Sequence, residues 1–209
     1  MSATDINVHL TTVAVITKMI VMVRWEPGAK DRLRAAALDL YAERGFDTTT
    51  AADIAQAAGL TERTFFRHFS DKREVLFDGQ EQLQEIFVDV IAAAKNPSSA
   101  VELVARAIAA AATFFPDEKR QYSRARQVVI DANPGLQERE LLKMAWLAKK
   151  ITEALAEHGV AEPGATLAAE TGVTVFGVTF KQWIADGEQR AFADIAEDIF
   201  GELRALTNL

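Results

Sequence analysis

Two arginines four residues apart, within Thr61-Glu62-Arg63-Thr64-Phe65-Phe66-Arg67-His68-Phe69, are the side chains in this sequence best suited to recognition chemistry. On a helix that spacing sets both guanidiniums on one face. Arginine can donate two hydrogen bonds to one guanine, and a glutamate such as Glu62 can accept from cytosine. Threonines such as Thr61 and Thr64 can bond a phosphate or touch a thymine methyl. That is the chemistry of reading base-pair edges. Bond-breaking chemistry lacks its parts. With no cysteine, disulfides, thiolate metal sites and thiol catalysis are excluded together. The residues three before His9, His68 and His158 are Ile6, Phe65 and Leu155, so the Glu-x-x-His pairs of helical metal enzymes are missing. Neither a Gly-x-Ser-x-Gly elbow nor a Gly-x-x-x-x-Gly-Lys phosphate loop occurs. The expectation is no catalytic residue, no metal site and no cofactor.

The elements that must position the arginines are legible in the flanking residues. Leu33, Ala36, Ala37, Leu40 and Tyr41 recur at helical spacing, and Arg44-Gly45 supplies a last-turn cation and a stop. Thr50 with Asp53 three residues later forms a capping-box pattern for a two-turn helix carrying Ile54, Ala55 and Ala58 and ending at Gly59. A second N-cap, Thr61, follows at once, with Phe65 and Phe69 as the inward stripe. Small Ala55, reversing Gly59 and apolar Ile54, Ala58, Leu60 and Phe65 are helix-turn-helix spacing, whose second helix offers its first residues to a major groove. A plain helical hairpin in a bundle is the alternative. Ser70-Asp71-Lys72-Arg73-Glu74 is expected to open another helix, with Asp71 and Glu74 in capping-box spacing and Lys72 placed for a phosphate. His68 is expected at a phosphate or packed in the core.

Charge distribution agrees with a local DNA contact. The net charge is −7 over 209 residues, which by itself opposes a nucleic-acid partner. From Arg24 to Arg73, however, nine basic residues face eight acidic ones, whereas from Glu74 onwards thirteen face twenty-one. Residues 1–25 read as an arm, either appended or arising from a misassigned start codon, with Met19 or Met22 as alternatives. The apolar run Val13 to Val23 is too short to span a bilayer, and it lacks a signal peptide's basic start and cleavage site.

The stretch from Arg32 to Leu76 resembles the N-terminal domain of TetR-family transcriptional regulators. The likeness is carried by Ala37-Leu38-Asp39-Leu40-Tyr41-Ala42-Glu43-Arg44-Gly45-Phe46, by Thr50-Ala51-Ala52-Asp53-Ile54-Ala55-Gln56-Ala57-Ala58-Gly59-Leu60 and by Thr61 to Phe69, in family order. Phe66 stands where that family very often has a tyrosine whose hydroxyl meets a phosphate, and here the hydroxyl is missing. Lys72 matches the family's basic residue at the next helix start. The candidate DNA-contact set is Thr49, Thr50, Thr61, Glu62, Arg63, Thr64, Phe66, Arg67, His68 and Lys72. The resemblance implies an all-helical fold, with a three-helix helix-turn-helix head over 26–77 and a larger ligand-binding and dimerisation bundle over 78–209. It also implies a cytoplasmic repressor whose partners are a double-stranded DNA operator, a second copy of itself and an unidentified small apolar effector, with no membrane.

Beyond Lys72, helices are separated by Asn96-Pro97, Phe115-Pro116-Asp117, Asn133-Pro134-Gly135, Glu162-Pro163-Gly164 and Asp186-Gly187. The last two segments, one apolar on several sides and one with a clean stripe, suggest a four-helix pairing with a partner copy. Its expected residues are Val173, Phe176, Phe180, Phe192, Ile195, Ile199 and Leu203. Closure of the chain's own core is the alternative. Phe87, Phe114, Trp146, Phe176, Phe180 and Trp183 are candidates to line an apolar effector pocket. Two other functions keep the helix-turn-helix shape: a protein-binding adaptor and a sequence-tolerant architectural DNA binder. Arg63, Arg67 and Lys72 weigh against the first and the acidic body against the second.

Overall fold

A computed structural model describes residues 28–95 and 99–207. The 1–25 arm lies outside them. Nine α-helices are found among the described residues, and no strand. The first three are close together in sequence, the second and third of them short: α1 (Ala29–Arg44), α2 (Ala51–Ala57) and α3 (Glu62–His68). The next six form the body: α4 (Gln80–Ala93), α5 (Ala100–Ala111), α6 (Arg120–Asp131), α7 (Pro134–Glu157), α8 (Gly164–Trp183) and α9 (Phe192–Thr207).

The caps fall where the sequence puts them. Thr50 Oγ1 accepts from Asp53 N at 3.1 Å while Thr50 N donates to Asp53 Oδ2 at 2.9 Å, a complete capping box. The Thr50 hydroxyl, which donates to the same Oδ2, and the Thr50 N–H hold the Asp53 carboxyl below the usual carboxylate range, with Arg44 adding to the shift. Gly59, at φ +66°, makes the reversal between α2 and α3, a backbone state that side chains disfavour.

One expected helix is replaced. Asp71 Oδ1 accepts from the N–H groups of Arg73 and Glu74, but the chain they start is a single 3-10 turn, Glu74–Phe77. Gly79, at φ +84°, ends it, and α4 begins at Gln80.

The head does not close its own core. Leu33, Ala37, Tyr41, Ile54, Ala55, Phe65 and Phe69 form one buried cluster with Val129 and Ile130 of α6 and Leu136 of α7. Polar contacts reinforce this joint. The Phe77 ring meets the Arg126 guanidinium at 5.1 Å and the Lys143 ammonium at 5.5 Å. Glu74 pairs with Arg139 at 2.8 Å and with Lys143 at 3.1 Å. Arg126 also donates to the Leu76 carbonyl and pairs with Glu140 at 3.3 Å. Burial pulls its guanidinium below the usual range, and Glu140 works against that shift.

In the body, α4 packs on α5 and α7, while α8 packs on α5, α7 and α9. The closest approach in the crossing of α5 and α8 is at Gly172, where an added Cβ would lie 2.1 Å from Val104 Cγ1. Gly172→Ala is therefore expected to lower unfolding stability by about 1–3 kcal/mol through overpacking. Urea denaturation checks this, and a second change, Val104→Ala, should recover part of the loss by making room.

Candidate nucleic-acid interface

Helix α3 is short, and its N-terminal turn is held by one residue. Thr61 Oγ1 accepts from Thr64 N at 3.2 Å and shares a hydrogen with Thr64 Oγ1 at 2.9 Å. Phe65 is wholly buried, and its ring packs edge-on against Phe66 at 5.3 Å and tilted against Phe69 at 5.7 Å. With that face turned inward, Glu62, Arg63 and Arg67 are left exposed. The side chains of Arg63 and Arg67 make no ion pair or hydrogen bond among the described residues. Two unpaired guanidiniums on one exposed helix face are arranged to meet acceptors that the protein does not supply. Phe66 is 52% exposed beside them, an apolar ring on an otherwise polar face.

The geometry behind this face rests on Lys72. Its ammonium donates to the carbonyls of Phe46 at 2.8 Å, Asp47 at 3.1 Å and Thr49 at 2.9 Å, and it lies 4.4 Å from the centre of the Phe46 ring. All three ammonium hydrogens are used. Tyr41 in turn donates to the Lys72 carbonyl at 2.6 Å, and burial pushes the Tyr41 hydroxyl well above its usual pKa range. Lys72, expected at a phosphate, gives its hydrogens to the loop between α1 and α2. Thr49 is corrected, because it is 1% exposed and donates to the Gly45 carbonyl at 2.8 Å. Thr50 spends its hydroxyl on Asp53 at 2.6 Å. His68 is half-buried with Nε2 enclosed and unpartnered, which removes it from the exposed face. No group of three or more potential metal ligands occurs among the described residues.

Comparison with known proteins agrees with this arrangement. Residues 33–78 match the family model for bacterial regulatory proteins of the tetR family, and residues 98–208 match that of the MftR C-terminal domain. The chain belongs to the TetR family. It is accordingly a DNA-binding transcriptional regulator and not an enzyme. Over 82 residues it is 37% identical to the HTH-type transcriptional regulator TcmR of Streptomyces glaucescens, a match spanning 38% of this chain and 36% of that protein. The chain thus matches about a third of the length of this relative. Among solved structures, a Rhodococcus sp. protein described as a TetR-family transcriptional regulator superposes with a TM-score of 0.53 at 15% identity, covering 86% of this chain and 98% of its own. The fatty acid degradation regulator FadR of Bacillus halodurans gives 0.51 at 15% identity, covering 86% and 96%. At such identities these likenesses speak for the fold.

The body of this TetR-family chain corrects several other expectations. Phe87, Phe176 and Trp183 are buried in one aromatic cluster, with Phe114 and Phe180 half-buried at its edge. Its hub is Phe115, whose ring meets those of Phe114, Phe176, Phe180, Trp183 and Phe192 at 4.7–5.7 Å. Trp146 is not part of it. It stands 49% exposed on the outer side of α7, because Leu147, Ala148 and Ile151 take that helix's inner face. Phe176, Phe192 and Ile195 are 5%, 1% and 0% exposed in the single chain, so they face its own core and have no surface to give a partner. Val173, Phe180, Ile199 and Leu203 are half-buried against the same core.

One cation read from the sequence only as a helix-end charge has a second neighbour. Exposed Arg44 is close enough to lower the Asp53 carboxyl at the start of α2, which adds positive charge to that edge of the head. Its place in the last turn of α1 had a sufficient local explanation in the helix dipole.

Lys72→Met is expected to lower head stability by about 1.5–3 kcal/mol, the magnitude of hydrogen bonds made by a charged group. The dependence of DNA affinity on salt should keep its slope, because no phosphate contact is removed. Unfolding curves and salt titrations of DNA binding check the two halves.

Proposed function

We propose that this regulator is a homodimeric repressor whose two α3 helices enter successive major grooves of a near-palindromic operator. A small apolar effector held by the body releases it. In this reading residues 26–77 are the DNA-binding head and 78–209 the sensing and pairing body. The observation that carries the reading is the exposed, unpaired couple Arg63 and Arg67 on a capped helix that follows a tight turn. Arg63, in the first turn of α3, reads a base edge; Arg67, one turn later, Thr61, Glu62 and Thr64 complete the contact. The DNA partner places the protein in the cytoplasm.

Pairing uses the outer faces of α8 and α9. Leu167, Thr171, Thr174 and Val178 follow one line along α8 at helical spacing, with Leu167 64% and Val178 45% exposed. On α9, Leu206 is 68% exposed below the half-buried Ile199 and Leu203. Exposed apolar positions aligned on adjacent helices are the kind of surface a two-fold interface covers. The effector acts by binding the DNA-competent and DNA-incompetent arrangements with different affinity, the joint around Phe77 linking body to head.

Arg63→Ala is expected to cost about 1–3 kcal/mol in operator binding and to relax preference at one base pair per half-site. Site selection with the variant checks it. Val178→Glu should yield folded monomers by sedimentation, since both partners would bring a charge into the paired apolar face. Those monomers should lose specific DNA binding while Arg63 and Arg67 remain intact, because each half-site alone binds weakly.

A further inference from the structure

Two polar groups in the body have no structural employment. Thr179 and Trp183 are each 0% exposed, yet Thr179 Oγ1 and Trp183 Nε1 have no hydrogen-bond partner. They lie four residues apart on α8, one turn along the same face. Buried polar groups are nearly always paired, so two orphans side by side call for an explanation. The Trp183 ring meets those of Phe115 at 5.7 Å, Phe192 at 6.0 Å and Phe180 at 6.2 Å, and none of these rings offers a strong acceptor. Arg120 covers the Trp183 ring from 5.1 Å, but its guanidinium is engaged by the carbonyls of Glu188 and Arg190 and by Asp117.

We propose that Thr179 and Trp183 are a paired hydrogen-bonding site for a ligand of this body, and that the ligand is an uncharged, flat aromatic molecule carrying a carbonyl oxygen. The inference rests on the proposed effector role of the body and gives it a chemical class. A carbonyl has two lone pairs and accepts from the Thr179 hydroxyl and the Trp183 indole N–H together, removing both orphans in one contact. The surrounding rings favour an aromatic framework, which packs edge-on or offset against them. An ionised carboxylate does not suit the site, because Arg120 is already engaged and a buried unpaired charge is heavily penalised. Phe114 and Phe180, half-buried at the edge of the cluster, are the rings whose rotation opens the site.

The test compares two probes of nearly equal shape, 2-acetylnaphthalene and 2-ethylnaphthalene, on the full-length protein. Binding is followed through the indole N–H signals of nitrogen-15-labelled protein, with that of Trp183 assigned by its loss in Trp183→Phe. The ketone is expected to move the Trp183 signal downfield and to bind about thirtyfold more tightly than the hydrocarbon, the ratio of two neutral hydrogen bonds. Thr179→Val keeps the shape and removes the hydroxyl. It should narrow that preference and raise the melting temperature of the ligand-free protein, since an orphaned group is gone. Equal affinity for the two probes, an unmoved Trp183 signal, or no binding of the ketone overturns the paired site. Operator release is measured separately. Ketone binding at Trp183 that leaves DNA affinity unchanged upholds the site and refutes effector release, whereas release by both probes alike upholds the effector and refutes the site.

Discussion

One ammonium group fixes the shape of the DNA-binding head. Lys72 gathers the carbonyls of Phe46, Asp47 and Thr49 in the turn between α1 and α2, and Tyr41 ties the Lys72 backbone to α1. The clasp joins chain separated by 23–31 residues, closing a ring around α2 and α3. Charge-assisted bonds are stronger than neutral ones, and here they satisfy carbonyls that no helix or strand uses. With the loop held, Thr50 and Thr61 cap their helices and Phe65 turns inward. Arg63 and Arg67 are left on the outside.

Head and body are joined by a second group of cations. The Phe77 ring against Arg126 and Lys143, the Glu74 carboxylate shared by Arg139 and Lys143, and the apolar contribution of Val129, Ile130 and Leu136 make the end of the head part of the body. A shift of α6 or α7 therefore has to disturb the chain leaving α3, which is what an effector-driven change in DNA affinity requires. The aromatic cluster around Phe115 involves α8 and α9, the helices whose outer faces carry Leu167, Val178 and Leu206. In the proposed reading, ligand chemistry and pairing use different sides of the same two helices.

Local features were legible in the sequence because they are made by residues three or four apart. The Thr50–Asp53 box, the Thr61 cap, the reversal at Gly59 and the helix order all follow from short-range rules. The Asp71 cap was legible as well, but the length of what it starts was not, since Gly79 ends that turn. Errors arose where a residue's partner is distant in sequence. An amphipathic stripe reveals that a helix has an apolar face, not which surface covers it. Phe192 and Ile195 therefore looked like a pairing surface although their own body buries them. Trp146 failed in the opposite sense: its size suggested a pocket, and its position on α7 turned it outward. Lys72 and Thr49 had the chemistry of phosphate ligands, and only the fold reveals that backbone carbonyls take their hydrogens instead.

In the proposed dimer two copies hold their α3 helices one DNA turn apart, and the absence of native cysteine makes that distance directly measurable. A single Asp39→Cys substitution places one nitroxide label on the exposed face of each α1, outside the proposed DNA contacts. On selected operator DNA, pulsed dipolar spectroscopy should return one narrow interprotomer distance, that of α3 helices about 34–36 Å apart once the offset of α1 and the reach of the label arms are added. Specific operator binding with no dipolar coupling between protomers, or with a broad distribution that ignores the helical repeat, would contradict the account.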